Sequence, residues 1–285
     1  MKPFSIAAVQ ISLDNTDNFN LVERKTREVV ARFPWVEMVV LSELAVGGAN
    51  KSKQHSLDEY LPRLKEISKE LDIWFIPGSF YDHNEGKITN SAPVLSPSGE
   101  LVTTCVKTFP FLPYEVDVSA GDEACVFDVP GVGRFGIHIC YDLWFPESSR
   151  ELAMKGAEVI LHPSLTDTCD RDVEKAMAIA TAAQQQCYYI DINATGNQGC
   201  GLSIAVGPDG EILHEANIGD EIILVEVDLE KVTRCRQRGL KGLGQPLKSF
   251  RDNSKPFKPK NQNKEYLDSL GELVVPPKNT TNSSS

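Results

Sequence analysis

The sequence lacks any run of basic residues, and its charge balance is acidic. Its 285 residues include 29 Lys and Arg against 40 Asp and Glu, which gives a net charge of −11. Such a chain would on average repel a nucleic-acid backbone or an anionic membrane surface. The composition therefore predicts neither a nucleic-acid partner nor a membrane partner, and it favours a small-molecule ligand.

Long hydrophobic runs are also lacking. The first twenty residues contain one short apolar stretch, at residues 4–9, and the polar Gln10 and Asp14 follow soon after it. This pattern fits neither a secretory signal peptide nor a membrane span. We therefore expect a cytoplasmic protein.

No C-x-x-C pair occurs, which removes the main support for a zinc-finger or thioredoxin-like site. The chain has seven cysteines, 13 to 35 residues apart: Cys105, Cys125, Cys140, Cys169, Cys187, Cys200 and Cys235. An odd number in a long cytosolic chain predicts free thiols. Neither a metal site nor a cofactor site is predicted.

Apolar runs alternate with helical patterns along the first two hundred residues, which is typical of an α/β fold. Helices are predicted near residues 18–33, 57–71, 147–155 and 172–186. Two pairs of strand-like segments are joined by Pro/Gly turns and predict hairpins, one over residues 88–106 and one over residues 203–213. The core should therefore mix parallel and antiparallel strands beneath covering helices.

The composition changes after about residue 236, where Lys, Gly, Pro and Asn become frequent. Residues 1–236 are therefore predicted to form one domain, and residues 237–285 a C-terminal docking segment and mobile tail. Within the latter, residues 240–250 keep enough apolar side chains to dock on their own or a neighbouring subunit. The last ten residues have almost nothing to bury and are expected to be mobile.

Cys140 lies where an apolar strand pattern runs into a polar, aromatic turn, in GRFGIHICYDLWFPE. A nucleophile on a sharp turn from strand to helix is exposed, and the N–H groups that follow it can face an oxyanion. A single cysteine is more often a buried, inert residue. Position alone therefore makes Cys140 a candidate nucleophile and no more.

Candidate bases stand near the predicted strand ends. His138 is expected to be a packed core histidine, whereas His162 is either a partner of Cys140 or a hydrogen-bonded structural residue. Glu43 directly follows an apolar run, and Lys107 closes another. Because polar residues past the carboxyl ends of strands gather at one edge of an α/β sheet, these side chains could converge.

The ordered residues Glu43 in LSELAVGG, Lys107 in VKTFPFLPYE and Cys140 in GIHICYDLWFPE resemble the Glu-Lys-Cys triad of the nitrilase superfamily. The resemblance extends over nearly the whole of residues 4–228. It implies a four-layer α-β-β-α sandwich with mixed sheets, and catalysis without a metal or organic cofactor. It also implies a homodimer or larger oligomer, paired through residues 147–155 and 240–250.

The resemblance implies acyl transfer through a thioester on Cys140, with Glu43 as the base and Lys107 beside the oxyanion. Glu115 would hold Lys107 and orient the substrate. The backbone N–H of Tyr141 would be the second oxyanion donor. Residues with side chains expected to bind the substrate are Tyr114, Trp144 and Ser164.

The motifs of this sequence resemble those of more than one subgroup of the superfamily. The segment from Lys107 to Glu115, K-x-x-P-x-x-P-x-E, is similar to the loop of aliphatic amidases and formamidases. The segment after the nucleophile is nearer to that of carbamoylputrescine-type amidohydrolases. Many omega-amidase-like members carry Arg where Trp144 stands, and true nitrilases usually have Trp and Glu in place of Tyr141 and Asp142.

The predicted function is hydrolysis of a small carboxamide to ammonia and a carboxylic acid. The alternatives are an N-carbamoyl amine amidohydrolase, a nitrilase, a member that transfers the acyl group to an amine, and a member that has lost catalysis.

Overall fold

The computed structural model describes residues 2–52, 55–253 and 264–275. In these residues the chain forms sixteen strands: β1 (Phe4–Gln10), β2 (Ser12–Leu13), β3 (Met38–Leu41), β4 (Trp74–Ile76), β5 (Phe80–Asn84), β6 (Lys87–Leu95), β7 (Leu101–Val106), β8 (Val118–Ser119), β9 (Cys125–Val129), β10 (Gly133–Ile137), β11 (Val159–Ser164), β12 (Tyr188–Asn193), β13 (Thr195–Gly196), β14 (Ile204–Val206), β15 (Ile212–Glu215) and β16 (Glu221–Val227).

The helices of the described residues are α1 (Phe19–Arg32), α2 (Leu57–Leu71), α3 (Pro146–Met154), α4 (Arg171–Gln185), α5 (Leu229–Arg238), α6 (Pro246–Asp252) and α7 (Lys264–Asp268). A short 3-10 helix, Cys140–Trp144, precedes α3. The helices predicted near residues 18–33, 57–71, 147–155 and 172–186 are confirmed as α1 to α4, and the predicted hairpins as β6–β7 and β14–β15.

Two sheets make up most of the fold, and both mix strand directions. The first has the order β16-β1-β3-β4-β6-β5, with β7 and β8 also paired to β6; the second has the order β15-β14-β12-β11-β10-β9. Strand β1 pairs parallel with β3 and antiparallel with β16. In the second sheet, β10, β11 and β12 are parallel, so their carboxyl ends lie at one edge.

The sheets pack face to face, and helices cover their outer faces. Alternate residues of β1 show this: Ile6 and Ala8 belong to the core between the sheets, whereas Ala7 and Val9 face α1 and α2. A third apolar cluster lies between the second sheet and the helices α3 and α4. A strand buried on both faces is expected to be apolar throughout. The predicted four-layer α-β-β-α sandwich is confirmed.

The prediction that the cysteines are free thiols is wrong for one pair. Cys105 on β7 and Cys125 on β9 form a disulfide, with their Cα atoms 5.4 Å apart. Twenty residues separate them in sequence, and only the packing of one sheet against the other brings them within bonding distance. The remaining five cysteines are free.

The segment after α5 folds back onto the domain. The Phe250 ring of α6 lies 5.2 Å from the Arg150 guanidinium of α3. Phe250 thus contacts its own chain, while Leu243 is 83% exposed. Docking of residues 240–250 on a neighbouring subunit stays a prediction. The last ten residues, predicted to be mobile, lie outside the described residues. None of the helices described is long and apolar enough to span a membrane.

Candidate active site

Glu43 lies in a tight turn directly after β3. The next residue, Leu44, has a φ of 53°, and its N–H donates to the Ser79 hydroxyl at 3.1 Å. Gly78 passes so close that a Cβ there would lie 1.9 Å from the Ser42 carbonyl oxygen. Only glycine fits such an approach. The turn thus fixes the direction of the Glu43 carboxylate. The sequence analysis did not identify Gly78 or Ser79, the two residues that stabilise this turn.

Lys107 lies directly after β7, and its ammonium group lies between the carboxylates of Glu43 and Glu115. These three side chains are called the charged clamp. The Nζ of Lys107 donates to Glu43 Oε1 and to Glu115 Oε2, each at 2.9 Å, and all three side chains are buried. Burial alone would lower the pKa of Lys107, but electrostatic interactions with Glu43, Cys140 and Glu115 raise it well above its usual value. The side chain is therefore a permanent cation, as a buried charge with two partners should be.

Asn90 on β6 ties the two ends of this clamp together. Its side-chain Nδ2 donates to Glu43 Oε1 at 2.7 Å, and its backbone carbonyl accepts from the backbone N–H of Lys107 at 2.9 Å. Burial raises the pKa of Glu43, although Lys107 acts in the opposite direction. Nothing in the hydrophobic pattern of β6 singled out Asn90. A buried polar residue within the strand NSAPVL was the signal available.

Glu115 is held from three sides. Its Oε1 accepts from the Tyr81 hydroxyl at 2.8 Å, and its Oε2 accepts from the Phe111 N–H at 2.6 Å in addition to Lys107. Burial would raise the pKa of Glu115, but the Lys107 charge and the hydrogen bonds from Phe111 and Tyr81 lower it. The side chain is consequently an anion with a fixed position behind Lys107.

Cys140 begins the 3-10 helix with a φ of 47°, a backbone conformation that residues other than glycine rarely adopt. Asp142 braces this turn: its Oδ2 accepts from the Ile139 N–H at 2.9 Å, and its Oδ1 accepts from the Phe109 N–H at 2.8 Å. One buried carboxylate therefore joins the Cys140 turn to the loop that follows Lys107. Sequence reasoning did not identify this role of Asp142.

Cys140 is partly exposed as a residue, and its thiol lies within the electrostatic influence of Glu43 and Lys107. Burial, and after it the charge of Glu43, raises the pKa of Cys140 well above its usual value, while Lys107 and a hydrogen bond from the Leu165 backbone act in the opposite direction. The interaction with the Cys140 thiol in turn acts to lower the pKa of Glu43. The nucleophile and its candidate base therefore lie close enough to influence each other's protonation, as such a pair must.

The two candidate histidines, His138 and His162, make their hydrogen bonds to groups other than the Cys140 thiol. His138 is buried, as expected of a core histidine, with its ring nitrogens 3.2 Å from the Tyr189 hydroxyl and 3.0 Å from the Ser148 hydroxyl. The Nε2 of His162 lies 2.9 Å from the backbone carbonyl oxygen of Cys140. Of the two roles that the sequence left open for His162, the structure shows the hydrogen-bonded one.

Aromatic rings line the exposed side of the nucleophile turn; this group, the aromatic rim, consists of Phe111, Tyr114, Tyr141 and Trp144. The Phe111 ring lies 4.9 Å from that of Tyr141 and 5.0 Å from that of Tyr114. The Trp144 indole lies 6.1 Å from the Tyr141 ring. Phe111 and Tyr114 are 41% and 55% exposed. The rim can therefore contact a bound molecule.

Ser164 lies beside the Glu43 turn. It ends β11 and is fully buried, with its hydroxyl 3.3 Å from that of Thr166. Its backbone carbonyl accepts from the Glu43 N–H at 3.2 Å. Ser164 thus supports the Glu43 turn through its backbone, and the binding of substrate by its side chain stays a prediction.

Comparisons with known proteins agree on the family. The model of the carbon-nitrogen hydrolase family matches residues 5–237. The omega-amidase NIT2 of Pongo abelii is 26% identical over 268 residues, which cover 84% of this chain and 93% of that protein. The 2-oxoglutaramate amidase of Bacillus subtilis is 27% identical over 212 residues, which cover 70% and 82% of the two chains.

Solved structures show the same fold. The Saccharomyces cerevisiae protein Nit3, described as a member of branch 10 of the nitrilase superfamily, has a TM-score of 0.75 and 25% identity, over 83% of this chain and 94% of that chain. An amidase from a Nesterenkonia species has a TM-score of 0.73 and 21% identity, again over 83% and 94%. The predicted resemblance to the nitrilase superfamily is confirmed.

Proposed function

The chain belongs to the carbon-nitrogen hydrolase family, and from this premise we propose that it hydrolyses the C–N bond of a small carboxamide through a thioester on Cys140. The observation that carries the proposal is the Lys107 ammonium, held 2.9 Å from both Glu43 and Glu115 beside the Cys140 turn. A nucleophile, a base and a fixed cation at one point are the groups that acyl transfer requires. The relatives named as amidases support the same reaction.

In the first half-reaction, Cys140 Sγ attacks the carbonyl carbon while Glu43 takes the thiol proton. The negative charge moves to the carbonyl oxygen, where Lys107 and the backbone N–H of Tyr141 stabilise it. The C–N bond then breaks, and protonated Glu43 gives its proton to the departing ammonia. Because burial raises the pKa of Glu43, this carboxyl is a better proton carrier than an exposed glutamate.

Water completes the reaction in the second half. Glu43, again ionised, takes a proton from water as the oxygen attacks the thioester. A second tetrahedral oxyanion forms beside Lys107 and collapses with loss of the Cys140 thiolate, which recovers the proton from Glu43. The products are a carboxylic acid and the free thiol enzyme, so one water is consumed for each ammonia released.

We propose further that the acyl part of the substrate carries no negative charge. The charged groups that most influence the Cys140 thiol are Glu43, Lys107 and Glu174. Lys107 already has two carboxylate partners, and the nearest guanidinium on α4, that of Arg171, is buried against Glu174. A substrate carboxylate would therefore meet repulsion, and Trp144 stands where many omega-amidase-like members have Arg.

A second candidate, hydrolysis of an N-carbamoyl amine, is favoured by the Trp144 indole of the aromatic rim. The indole nitrogen lies 3.4 Å from Glu174 Oε1, a buried carboxylate that also pairs with Arg171. Because an indole face attracts cations, it suits an alkyl chain that ends in an ammonium group. Such a substrate would release ammonia, carbon dioxide and an amine from the same Cys140 chemistry.

Ammonia release from a matched panel tests both candidates. The panel pairs butyramide with succinamic acid, an amide of the same chain length that ends in a carboxylate, and adds an N-carbamoyl diamine and butyronitrile. We expect kcat/KM for butyramide to exceed that for succinamic acid at least tenfold. A preference for succinamic acid would refute the charge argument, and no release from any amide or carbamoyl compound would refute the function.

A further inference from the structure

The buried ring of His162 lies between two hydrogen-bond acceptors. Its Nε2 is 2.9 Å from the carbonyl oxygen of Cys140, in hydrogen-bond geometry, and its Nδ1 is 2.8 Å from Asp191 Oδ1, at ion-pair distance although the Nδ1 atom is not directed at that oxygen. A neutral imidazole has one N–H and one lone pair, so a ring that donates to the Cys140 carbonyl would turn its Nδ1 lone pair toward the Asp191 carboxylate. The doubly protonated ring instead offers an N–H to the Cys140 carbonyl and places its positive charge beside Asp191.

The charged groups around His162 favour the protonated, cationic form of its ring. Asp191 on β12 also pairs with the Arg171 guanidinium, and Arg171 Nη1 lies 3.1 Å from Glu174 Oε2. All four side chains are buried. With His162 protonated, two cations balance two carboxylates; with it neutral, the Arg171 guanidinium alone would balance two buried carboxylates, and a net buried negative charge is costly.

The other groups that face His162 add no competing charge. The Tyr189 ring lies 5.4 Å away, and the ring of His138 lies 6.3 Å away. Burial lowers the pKa of His138 to about 3, so this second ring is neutral. For His162 itself, burial acts to lower the pKa, but Asp191 and the Cys140 carbonyl raise it above the usual value.

We propose that His162 is a permanent imidazolium that acts as a positioning residue for the nucleophile. By donating to the Cys140 carbonyl, it holds the turn in a backbone conformation that a cysteine does not adopt without support. Within the catalytic scheme it would act through Cys140 and not on the substrate.

A pair of amide variants separates the two contacts of His162. In His162→Gln, the amide nitrogen takes the place of Nε2 and can still donate to the Cys140 carbonyl. In His162→Asn, the amide nitrogen takes the place of Nδ1, so the contact with Cys140 is lost. We expect His162→Gln to keep kcat within about tenfold of wild type, and His162→Asn to lose about a hundredfold in kcat with little change in KM.

These kinetics rest on the proposed function, and equal losses of kcat in the two variants would overturn the positioning role. His214→Gln is the control, because His214 lies on β15 and pairs with Glu221. The rate at which iodoacetamide alkylates Cys140 provides a readout that needs no substrate. It should fall more in His162→Asn than in His162→Gln, and this arm remains informative if no amide is hydrolysed.

Nuclear magnetic resonance of the full chain with 15N-labelled histidine tests the charge directly. The resonances of His162 are assigned by their loss in His162→Gln. We expect both ring nitrogens of His162 to be protonated from pH 6 to pH 8, while His138 gives the signature of a neutral ring over the same range. A neutral His162 ring at pH 7 would overturn the proposal, whatever the kinetics show.

Discussion

The carboxylate of Asp142 accepts a hydrogen bond from the backbone N–H of Phe109 at 2.8 Å, across 33 positions of sequence. Its other oxygen accepts from the Ile139 N–H at 2.9 Å. The turn that carries Cys140 and the loop that follows Lys107 are thus joined through one buried side chain. The distance between nucleophile and cation depends on this link as well as on the two sheets.

Replacing Asp142 with Asn should damage both stability and turnover. The amide has one oxygen, so its NH2 group must face one of the two backbone N–H donors that the carboxylate satisfied. An unsatisfied buried donor costs about 1–3 kcal/mol. We expect the free energy of unfolding, from urea denaturation, to fall by about that amount and kcat to fall at least tenfold.

Asp122→Asn is the matched control, because Asp122 is exposed and the same chemical change there leaves no buried donor unpaired. It should behave as wild type. Wild-type stability in Asp142→Asn would show that Asp142 does not join the two loops.

Substitutions at Glu115 and Tyr81 test how strongly turnover depends on the charged clamp around Lys107. In Glu115→Gln one of the two negative charges beside Lys107 is lost, and the new NH2 group faces groups that are themselves hydrogen-bond donors. We therefore expect kcat to fall by about a hundredfold or more, while KM stays within about tenfold of wild type. Tyr81→Phe removes only the hydroxyl that donates to Glu115 at 2.8 Å, and its loss should be much smaller. A Glu115→Gln variant that mainly raised KM would instead assign Glu115 to substrate binding.

The neutrality of His138 predicts a pH dependence of stability. Burial lowers the pKa of His138 from 6.5 to about 3. Below pH 6.5 the unfolded chain therefore takes up a proton that the folded chain does not, so stability is present above pH 6.5 and is lost as the pH falls toward 3. One such group contributes at most about 1.4 kcal/mol per pH unit.

Urea denaturation of wild type and His138→Gln at several values between pH 6 and pH 4 measures this slope. The variant should lose stability less steeply than wild type as the solution becomes more acidic. Equal slopes would mean that His138 is already protonated in the folded protein.

Assembly gives a prediction about the C-terminal segment. We expect a homodimer or larger oligomer in which residues 237–285 contribute to the contact, since this segment passes over α3 at Arg150 and leaves Leu243 exposed. Deleting residues 237–285 should lower the oligomer mass and the activity together, whereas deleting only 276–285 should change neither. Light scattering that shows a fully active monomer at working concentration would disprove the assembly.

Local pattern was enough to predict several elements. The predicted helix over residues 57–71 is α2, Leu57–Leu71, because its apolar residues recur at helical spacing. The strand-to-turn junctions at Glu43 and Cys140 could likewise be predicted, because an apolar run that stops at a polar residue is visible in one stretch of chain.

Contacts between distant segments could not be predicted in this way. Asn90 meets Glu43 across 47 positions, and the bond between Cys105 and Cys125 depends on how two sheets stack. The direction of a side chain at a strand end is also set by its neighbours in space. Ser164 illustrates this, because the sequence places it at a strand end but does not show that its hydroxyl lies 3.3 Å from that of Thr166.

Variants of Cys140 test whether its thiol is the nucleophile. Cys140→Ala should abolish turnover without unfolding the protein, because the side chain is partly exposed and the lost volume is small. Cys140→Ser should be nearly inactive, since Glu43 is matched to a thiol and a hydroxyl is far less acidic. Cys169→Ser is the control, because Cys169 is exposed and free, and it should keep wild-type rates.

Mass spectrometry of the acid-quenched enzyme during turnover of its best amide detects the thioester itself. We expect the peptide containing Cys140 to gain the mass of the acyl group, hydroxylamine to remove it, and Cys140→Ala neither to gain it nor to turn over substrate. An acyl group on another residue, or near-wild-type rates in Cys140→Ala, would show that the reaction does not pass through a thioester on Cys140.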